Sequence, residues 1–564
     1  MQSEHDFKIE TDVAIIGGGT AGVNSAMAAA EMGLEVLVVD KANINRSGAI
    51  AGGIDHFMAF LETGEPWDTR EAWLKYVGRV AKGAVNLKIH DAVLCEELNA
   101  AIERVERLGI ALRDPGSGKF FRTQALGQPG PYAINFNGKR LKPAMAEEVR
   151  RLGCRVLDRV QVTNLFLNDG ELAGFTGFDM RTGDFYQIRA KAVIISTGNT
   201  NRMFRSQTAN PFNLWYCPAC TGDLHRQAFD AGVELANMEY VRMTIVPKGF
   251  SAPGFNAFFG MGSRLINSLG ETFMESVHPM GDRAPRNYMV WGALQELREG
   301  RGPIYMDCGH LTQKQREHLF TTLGYDKDTL PDFFIKKGYN LEGTMIEMTV
   351  SEPMQARPSE VSGNDIKIDE KCASIIPGLY AAGDTSLVAR GHLSGAFVFG
   401  EISAESATGY AAKAEAVELD RDQVSAFMTK RDAKLEQSGN LVPVEEFEYK
   451  VRRIINDYIV PPKNEYKLNN ALWWMDRFRK ELIELVRIRD IHDLFKAYEV
   501  ENIIQCATMS ATASRERKES RWGMWHFRHD YPDVNDREWM KHIVLSRGEA
   551  PEDIKISQKE IIKM

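Results

Sequence analysis

The sequence predicts an α/β fold in which a nucleotide-binding domain is assembled from separated parts of the chain and is followed by a helical domain. Three observations support this fold class. The chain begins with an apolar strand, a glycine-rich turn and an alanine-rich helix; short apolar strands near residues 195 and 380 end in small-residue turns; and charged amphipathic patterns fill the sequence after about residue 415. With 564 residues, 44% of them hydrophobic, the chain is long enough for roughly two to four domains.

The first element is a complete βαβ unit. Residues 12–16 (DVAII) are a continuous, mostly β-branched run that predicts a buried strand, and residues 23–32 (VNSAMAAAEM) predict a helix. Residues 35–39 (EVLVV) predict a second buried strand, which ends at Asp40. This context turns a weak glycine pattern into a strong indication of nucleotide binding.

The glycine-rich turn inside this unit has the spacing of a dinucleotide-binding fingerprint. Gly17 allows the tight turn, Gly19 lets the backbone approach a pyrophosphate, and Gly22 lets the helix pack on the strand. The phosphates are expected at the helix N-terminus, and Asp40 is placed to accept a hydrogen bond from a ribose hydroxyl. The alternative is a glycine-rich turn without a nucleotide. The contacts predicted here are Gly17, Gly19, Thr20, Ala21, Gly22, Asp40 and Lys41.

Two further glycine-rich segments favour FAD over NAD. Residues 45–53 (NRSGAIAGG) are a small-residue run against which a flat ring can lie, and residues 378–384 (GLYAAGD) end in a carboxylate suited to the ribityl–phosphate side of FAD. A simple nicotinamide dehydrogenase needs neither segment. Residues 191–198 predict another strand of the same domain. The FAD contacts predicted from these segments are Ser47, Gly48, Gly52, Gly53, Thr197, Gly198, Gly383 and Asp384.

Changes in composition divide the chain into four segments. Residues 1–235 and 361–414 are predicted to form the two parts of a Rossmann-like FAD-binding domain. Residues 236–360, rich in Met, Phe and Gly, are predicted to form an inserted α+β capping domain that covers the cofactor. Residues 415–564 are predicted to form a C-terminal helical domain.

Charge, hydropathy and cysteine content exclude several classes of protein. The net charge of −8 gives no reason to expect nucleic acid, so the basic, aromatic stretch 515–529 is assigned to a packed helix end and partner surface. No run approaches the ~18 apolar residues of a membrane span, and the polar start lacks the features of a signal peptide. Seven cysteines suit a reducing interior, so we expect a cytoplasmic protein.

Several motifs follow one another in an order that is known from one flavoprotein family. They are residues 221–223 (TGD), 237–239 (NME), 378–384 (GLYAAGD), 519–521 (ESR) and 529–532 (HDYP). With them the chain resembles the flavoprotein subunits of succinate dehydrogenase and fumarate reductase over nearly its whole length. The resemblance implies an FAD-dependent oxidoreductase, and it adds Asp223, Ser394 and Gly395 to the expected FAD contacts.

A second set of motifs is similar to the alpha subunits of adenylylsulfate reductase within that family. They are residues 46–51 (RSGAIA), 137–147 (NGKRLKPAMAE), 286–288 (RNY), 302–306 (GPIYM) and 391–397 (GHLSGAF). This resemblance implies an iron–sulfur partner protein with ferredoxin-like clusters, and we expect an oligomer. The chain itself has no iron–sulfur cysteine spacing.

The departures from the family pattern bear on cofactor attachment and substrate. Membrane-bound fumarate reductases carry FAD on a histidine where this chain has Gly48, so the resemblance implies non-covalent FAD. Dicarboxylate enzymes have a histidine where this chain has Thr244, and a second one that is missing from residues 357–363 (RPSEVSG). The absence of both histidines argues against fumarate or succinate as the substrate. Adenylylsulfate reductase also has a histidine near the second position, so the substrate stays open.

Four basic side chains are candidates for the chemistry. Arg286 is the first choice for an anion clamp, since it matches an active-site arginine of the family, and a surface arginine at a helix start is the alternative. Arg390 and His392 follow the FAD motif in the sequence. Arg390 is a candidate for a second anion clamp and His392 for a proton donor; the alternative for His392 is an ordinary loop histidine. Arg242 is the third arginine candidate, and an ordinary salt bridge would equally explain it.

One cysteine motif remains. Cys217-Pro-Ala-Cys220 is a CxxC, which can be a redox pair or half of a zinc site. No second CxxC exists, so a four-cysteine zinc site is excluded, and the local sequence lacks a thioredoxin-like strand. The prediction is therefore a pair of structural thiols and no bound metal.

The function predicted from the sequence is two-electron transfer between non-covalent FAD and a small anionic substrate, similar to adenylylsulfate reductase, with an iron–sulfur partner. A fumarate reductase, succinate dehydrogenase or aspartate-oxidase-type enzyme is the first alternative, disfavoured by the missing histidines. The second is a flavoprotein that only relays electrons within a larger complex. Converging arginines in an open pocket would speak against that relay.

Overall fold

The computed structural model confirms the predicted α/β fold class with its capping and C-terminal parts. It describes residues 6–82, 86–124, 127–205, 217–251, 255–326, 328–355, 365–366, 368–386, 392–435, 441–522, 525–549 and 553–561. Within these ranges, none of the helices has the length and hydropathy needed to cross a membrane.

The strands and helices are numbered here in chain order. The strands are β1 (Asp6–Ile16), β2 (Val36–Asp40), β3 (His56–Met58), β4 (Arg122–Thr123), β5 (Ala133–Asn135), β6 (Arg155–Asp158), β7 (Val160–Asn168), β8 (Glu171–Asp179), β9 (Phe185–Ile195), β10 (Leu235–Ala236), β11 (Arg242–Pro247), β12 (Arg264–Ile266), β13 (Ile304–Asp307), β14 (Ile346–Met354), β15 (Asp365–Ile366), β16 (Leu379–Ala381), β17 (Val442–Pro443), β18 (Val486–Arg487), β19 (Lys541–Arg547) and β20 (Ile554–Glu560). The helices are α1 (Thr20–Glu31), α2 (Arg70–Val80), α3 (Leu87–Ile89), α4 (Glu96–Arg107), α5 (Leu141–Arg151), α6 (Asp223–Asp230), α7 (Phe255–Gly260), α8 (Met274–Val277), α9 (Arg286–Arg298), α10 (Gln313–Asp326), α11 (Thr329–Lys337), α12 (His392–Ala411), α13 (Arg421–Leu435), α14 (Val444–Tyr458), α15 (Glu465–Glu484), α16 (Ile491–Glu516) and α17 (Asp536–Trp539).

A mixed sheet carries the nucleotide-binding domain. Its order is β6-β2-β1-β9-β8-β7, and β16 also pairs with β9. The strands β6, β2, β1, β9 and β16 run parallel, whereas β8 and β7 are antiparallel to their neighbours. Residues 13–16 of β1 are at most 2% exposed, because both faces of this central strand are covered. The carboxyl ends of the parallel strands therefore meet at one edge.

Helices α1 and α12 pack against each other beside this sheet. Small residues permit the two helices to approach each other closely: a Cβ added to Gly400 of α12 would lie 2.7 Å from the carbonyl oxygen of Ala21 in α1. Asn24 donates a hydrogen bond to the Phe397 carbonyl at 2.7 Å, and Ser25 donates one to the Gly400 carbonyl at 2.8 Å. This contact joins the two sequence-distant parts of the nucleotide-binding domain.

The capping domain is built on an antiparallel sheet of order β11-β14-β13-β12. Its core, which includes Ile245, Phe258, Leu265, Met289 and Met306, is separate from the core of the nucleotide-binding domain. The cap lies over the carboxyl edge of the central sheet, and a cavity lies between the two.

The C-terminal part is helical through α16 and then adds a hairpin that the sequence did not predict. Strands β19 and β20 pair with each other, and β19 also pairs with β10, which in turn pairs with β15. Residues 517, 521 and 528 are arginines with no exposed surface, so these three side chains of stretch 515–529 pack inside the protein. Arg517 donates to the carbonyl oxygens of Trp539 and Lys541, and this fixes the start of the hairpin.

Candidate active site

The cavity lies where the carboxyl ends of β1, β2 and β9 face the capping domain. This is the usual position for a ligand in an open parallel sheet. Residues of the glycine-rich loop, of the loops after β2 and β9, and of the cap form its wall. The lining includes Gly17, Gly19, Thr20, Ala21, Asp40, Lys41, Ser47, Gly48, Thr197, Gly198, Asp223, Gly383, Asp384, Arg242, Arg286 and His392, all of which are predicted site residues.

The glycines of the first loop have different environments. A Cβ added to Gly22 would lie 2.0 Å from the Gly17 carbonyl oxygen, so Gly22 serves the packing of α1 on the strand and does not line the cavity. Gly17 has φ +106° and its Cβ would fall 2.5 Å from the Ser196 carbonyl oxygen. A Cβ on Gly19 would have the Gly48 Cα, at 3.8 Å, as its nearest neighbour. Gly19 therefore leaves space at the N-terminus of α1, which fits a pyrophosphate.

Asp40 ends β2 with a carboxylate that is 4% exposed. Its Oδ2 accepts a hydrogen bond from the Gly18 N–H and its Oδ1 accepts one from the Ala42 N–H, each at 2.5 Å. Each oxygen retains a second lone pair, so the side chain can also accept from a ribose hydroxyl. Val160 and Val162 supply apolar wall nearby, which suits an adenine ring.

Lys41 connects the cavity to the C-terminal helices. Its ammonium donates to Thr221 Oγ1 at 2.7 Å, to Asp223 Oδ2 at 2.8 Å and to Glu499 Oε1 at 3.1 Å. Burial alone would lower the pKa of Lys41, but the carboxylates of Asp223 and Glu499 raise it above its ordinary value. Arg202 completes this ion network through Glu499 Oε2 at 2.9 Å.

The second glycine-rich run turns back against the first loop. Gly48 has φ +84°, and its Cβ would lie 2.9 Å from the Gly19 Cα, so only glycine fits there. Ser47 donates to the Gly18 carbonyl at 2.7 Å. Gly52 and Gly53 do not line the cavity in the structure.

The remaining predicted contacts lie around the start of α12. Asp384 accepts a hydrogen bond from Asn199 Nδ2 at 3.2 Å, and Thr197 lies 3.2 Å from Thr385 through their hydroxyl oxygens. Ser394 and Gly395 are fully enclosed in the first turn of α12 and do not line the cavity, although Leu393 and Ala396 do. The buried hydroxyl of Ser394 makes no hydrogen bond to the described residues.

Together these features fit FAD. The cavity provides an open phosphate position at the N-terminus of α1, the Asp40 carboxylate for ribose, and a second helix N-terminus, that of α12. A helix N-terminus stabilises negative charge, which suits a reduced, anionic flavin.

The far end of the cavity contains a chain of three titratable side chains that the sequence analysis only partly identified. His56 Nδ1 lies 2.5 Å from Asp55 Oδ1, and His56 Nε2 lies 3.1 Å from His392 Nε2. Burial alone would raise the pKa of Asp55, but His56 and, to a smaller extent, Arg286 hold it below its ordinary value. Asp55 is thus a carboxylate that accepts the Nδ1 proton of His56. His392 has φ +76°, a strained conformation of the kind that concentrates at functional sites.

Arg286 is positioned beside this chain by the cap. It is the first residue of α9 and is 5% exposed. Its Nη2 donates to Asn256 Oδ1 at 3.0 Å, and its Nη1 lies 3.4 Å from Thr244 Oγ1. Asn256 Nδ2 in turn lies 3.3 Å from His56 Nε2. Arg286 is therefore buried and lines the cavity, which excludes the alternative of a surface arginine.

Arg242, at the start of β11, is 4% exposed and also lines the cavity. Arg390 and residues 357–363 lie outside the described residues.

Asp55, His56 and Asn256 were not predicted as site residues from the sequence. The pair Asp55-His56 stands directly after the glycine run in an apolar stretch (IDHFMAF), and this was the one available signal. The CxxC cysteines also line the cavity, next to Gly48 and Lys41.

Comparison with known proteins gives two matching family models. Residues 12–400 match the model described as an FAD binding domain, and residues 448–564 match the one described as the C-terminal part of the fumarate reductase flavoprotein. The chain is 26% identical to the succinate dehydrogenase flavoprotein subunit of Rickettsia conorii, with coverage of 96% of this chain and 93% of the relative. It is also 26% identical to one of the subunits of the fumarate reductase (CoM/CoB) of Methanothermobacter marburgensis, with coverage of 97% and 98%.

The fold has a close counterpart among solved structures. Adenylylsulfate reductase from Archaeoglobus fulgidus superposes with a TM-score of 0.88 at 22% identity, covering 99% of this chain and 97% of that one.

Proposed function

This chain belongs to the flavoprotein family of succinate dehydrogenase and fumarate reductase and is an FAD-dependent oxidoreductase, and on that premise we propose that it transfers two electrons between FAD and a small anionic substrate. The family matches confirm the resemblance, the cofactor FAD and the enzyme class that the sequence predicts.

The observation that supports an anionic substrate is the pair of buried guanidinium groups that line the cavity. Arg242 and Arg286 are at most 5% exposed, and Arg286 contacts Asn256, which lies beside His56. A buried guanidinium is permanently charged and presents a planar set of donors, so an anion is the ligand that stabilises it. Two such groups at one site also weigh against a flavin that only relays electrons.

The chemistry needs a hydride or electron-pair carrier, an anion clamp and a proton. FAD, when bound, supplies the electron pair. Arg286, fixed by Asn256, orients the anion. The Nε2 atoms of His56 and His392 share one proton, and Asp55 holds His56 in the matching tautomer through Nδ1. This shared proton is the one exchanged with the substrate.

We propose adenylylsulfate-like chemistry for the substrate. Thr244 contacts Arg286 at the position where dicarboxylate enzymes of the family have a histidine, and this argues against fumarate and succinate. A fumarate reductase, succinate dehydrogenase or aspartate-oxidase-type reaction is the alternative.

The second half of the electron transfer requires a partner. We propose an iron–sulfur partner protein, as the resemblance implies, and an oligomeric assembly. Support comes from relatives whose names describe them as subunits of larger enzymes. We also propose a cytoplasmic location, because seven cysteines, an odd number with mostly wide spacing, suit a reducing interior.

We also propose that FAD is held without a covalent bond. Gly48 offers no side chain at the position of the family's attachment histidine, and its φ of +84° disfavours any other residue. Acid precipitation should therefore release all of the FAD into the supernatant. A precipitate that stays yellow would contradict this.

The substrate is tested by anaerobic photoreduction of the purified flavoprotein and rapid mixing with adenylylsulfate, fumarate or unsaturated acyl compounds, while flavin absorbance is followed. Reoxidation by adenylylsulfate alone supports the finer proposal. Reoxidation by fumarate would move the function to the dicarboxylate enzymes. If an iron–sulfur protein reoxidises the flavin but none of the anions does, the relay function would be favoured instead.

A further inference from the structure

The CxxC motif, which the sequence analysis assigned to structural thiols, lies in the wall of the FAD cavity. Cys217, Ala219 and Cys220 all line it. The thiols stand between two predicted FAD-binding segments: the Cys217 sulfur accepts from the Gly48 N–H, and a Cβ on Gly198 would lie 3.6 Å from the Cys220 sulfur.

The two cysteines are arranged as a pair that can form a disulfide. The Cys220 N–H donates to the Cys217 carbonyl at 3.2 Å, which closes a single turn and places both side chains on one side. The two thiols interact with each other in the wall of the cavity.

The pair also has the electronic asymmetry of reactive dithiols. The hydrogen bond from Cys220, together with the Ala219 and Gly48 N–H groups, lowers the pKa of Cys217 to about 7, although burial opposes this. The same hydrogen bond and burial raise the pKa of Cys220. Cys217 is therefore partly thiolate at neutral pH and is the nucleophile, while Cys220 stays protonated.

Other cysteines of the chain differ in both respects. Burial raises the pKa of Cys154 and of Cys308 to about 11, and burial likewise raises the pKa of Cys372. None of these three lines the cavity. Low pKa and access to the cofactor cavity thus coincide at Cys217.

We propose that Cys217 and Cys220 are a redox-active dithiol that exchanges two electrons with the FAD in the same cavity. Oxidation breaks two S–H bonds and forms one S–S bond, which releases two electrons and two protons. Oxidised FAD takes up both electrons and one proton, and the second proton passes to solvent. The reverse step reduces the disulfide at the expense of reduced FAD. The pair would store a second electron pair in the protein. This proposal goes beyond the proposed function and holds whatever anion the enzyme uses.

The test is an electron count on the FAD-loaded protein. The oxidised protein is titrated anaerobically with dithionite while flavin absorbance is followed, and the cysteines are alkylated before and after for mass spectrometry. We expect wild type to take up four electrons per FAD, and Cys217→Ser and Cys220→Ser to take up two. Cys154→Ser, whose thiol lies outside the cavity, should still take up four. In wild type, alkylation should find a Cys217–Cys220 disulfide before reduction and two free thiols after it.

Uptake of two electrons by wild type, with both thiols alkylated in the oxidised protein, would overturn the proposal. So would a disulfide that persists after the flavin is fully reduced. Because the alkylation experiment uses wild type, the result stands even if a serine variant loses FAD. Failure of this test leaves the flavin–substrate reaction unaffected, so it is distinguishable from failure of the proposed function.

Discussion

Asp55 is the residue on which the proposed proton transfer depends. It accepts the Nδ1 proton of His56 at 2.5 Å and so fixes which nitrogen of His56 faces His392. We expect Asp55→Asn to lower kcat about 100-fold, the range for loss of general acid–base catalysis, with little change in KM. The exposed Asp332→Asn is the control. A variant with unchanged kcat would remove this chain from the mechanism.

The reactivity of Cys217 should depend on pH. Its pKa of about 7 means that the thiolate fraction of the reduced FAD-loaded protein rises as pH rises through neutrality. The rate of alkylation at Cys217 should therefore increase with pH and level off about one unit above 7. The titratable groups around it are Cys220, Asp40, Lys41 and Asp223. A midpoint near that of an ordinary thiol would show that the hydrogen bonds do not lower its pKa.

At the scale of elements, the βαβ unit allows binding and packing to be separated with two alanine variants. Gly19 has φ −68° and ψ −172°, which alanine also adopts, and the nearest atom to its added Cβ would be the Gly48 Cα at 3.8 Å, an ordinary van der Waals distance. Gly19→Ala should keep the thermal stability of the FAD-free protein but weaken FAD binding at least about tenfold, which costs ~1.4 kcal/mol. Gly22→Ala should fail to fold stably, because its Cβ would lie 2.0 Å from a carbonyl oxygen. Retention of FAD and Tm measure the two effects; equal FAD affinity in Gly19→Ala would contradict the phosphate position.

The ion network around Glu499 joins α16 to the cavity wall, and its loss should be visible in stability. Although burial alone would raise the pKa of Glu499, Lys41 and Arg202 lower it to about 2. A lowered carboxylate pKa contributes stability that is present above the ordinary value and is lost as pH falls towards the folded value. We expect Glu499→Gln to lose about 3 kcal/mol of unfolding free energy at pH 7, because the buried cations Lys41 and Arg202 each lose one of their carboxylate partners.

The same variant should also lose less stability than wild type when the pH falls from about 5 to 3. Urea unfolding at each pH checks both effects, and Glu484→Gln, at an exposed position of α15, is the control. Parallel pH profiles in wild type and Glu499→Gln would contradict the network's role.

The elements show why parts of the fold could be predicted and others could not. The first helix and the second strand were predicted within a few residues of α1 and β2, because their apolar runs are continuous and the glycines mark the turns. The first strand was predicted as residues 12–16 only, whereas β1 begins six residues earlier, at Asp6. The hairpin β19–β20 was missed because β20 is largely exposed and shows no apolar periodicity. Its position depends on pairing with β10, some 300 residues earlier, which local sequence does not encode.

For the whole molecule, the candidate site was predictable where it follows local motifs and not where it depends on distant contacts. Gly17, Gly19 and Asp40 were predicted from one short segment. The contact between His56 and His392 spans 336 residues, and Arg286 reaches the site only because the capping domain folds over the sheet. The three predicted boundaries between the four segments stay predictions.

We propose that the cap supplies Arg286 to hold an anionic substrate against FAD. The most direct measurement is the rate of reoxidation of the photoreduced flavin by the anionic oxidant that wild type accepts, compared between wild type, Arg286→Ala and the exposed cap variant Arg264→Ala. We expect a loss of about 100-fold in kcat/KM for Arg286→Ala, since a charge-assisted contact of ~3 kcal/mol is removed, and no loss for Arg264→Ala. Equal rates in all three proteins would contradict it.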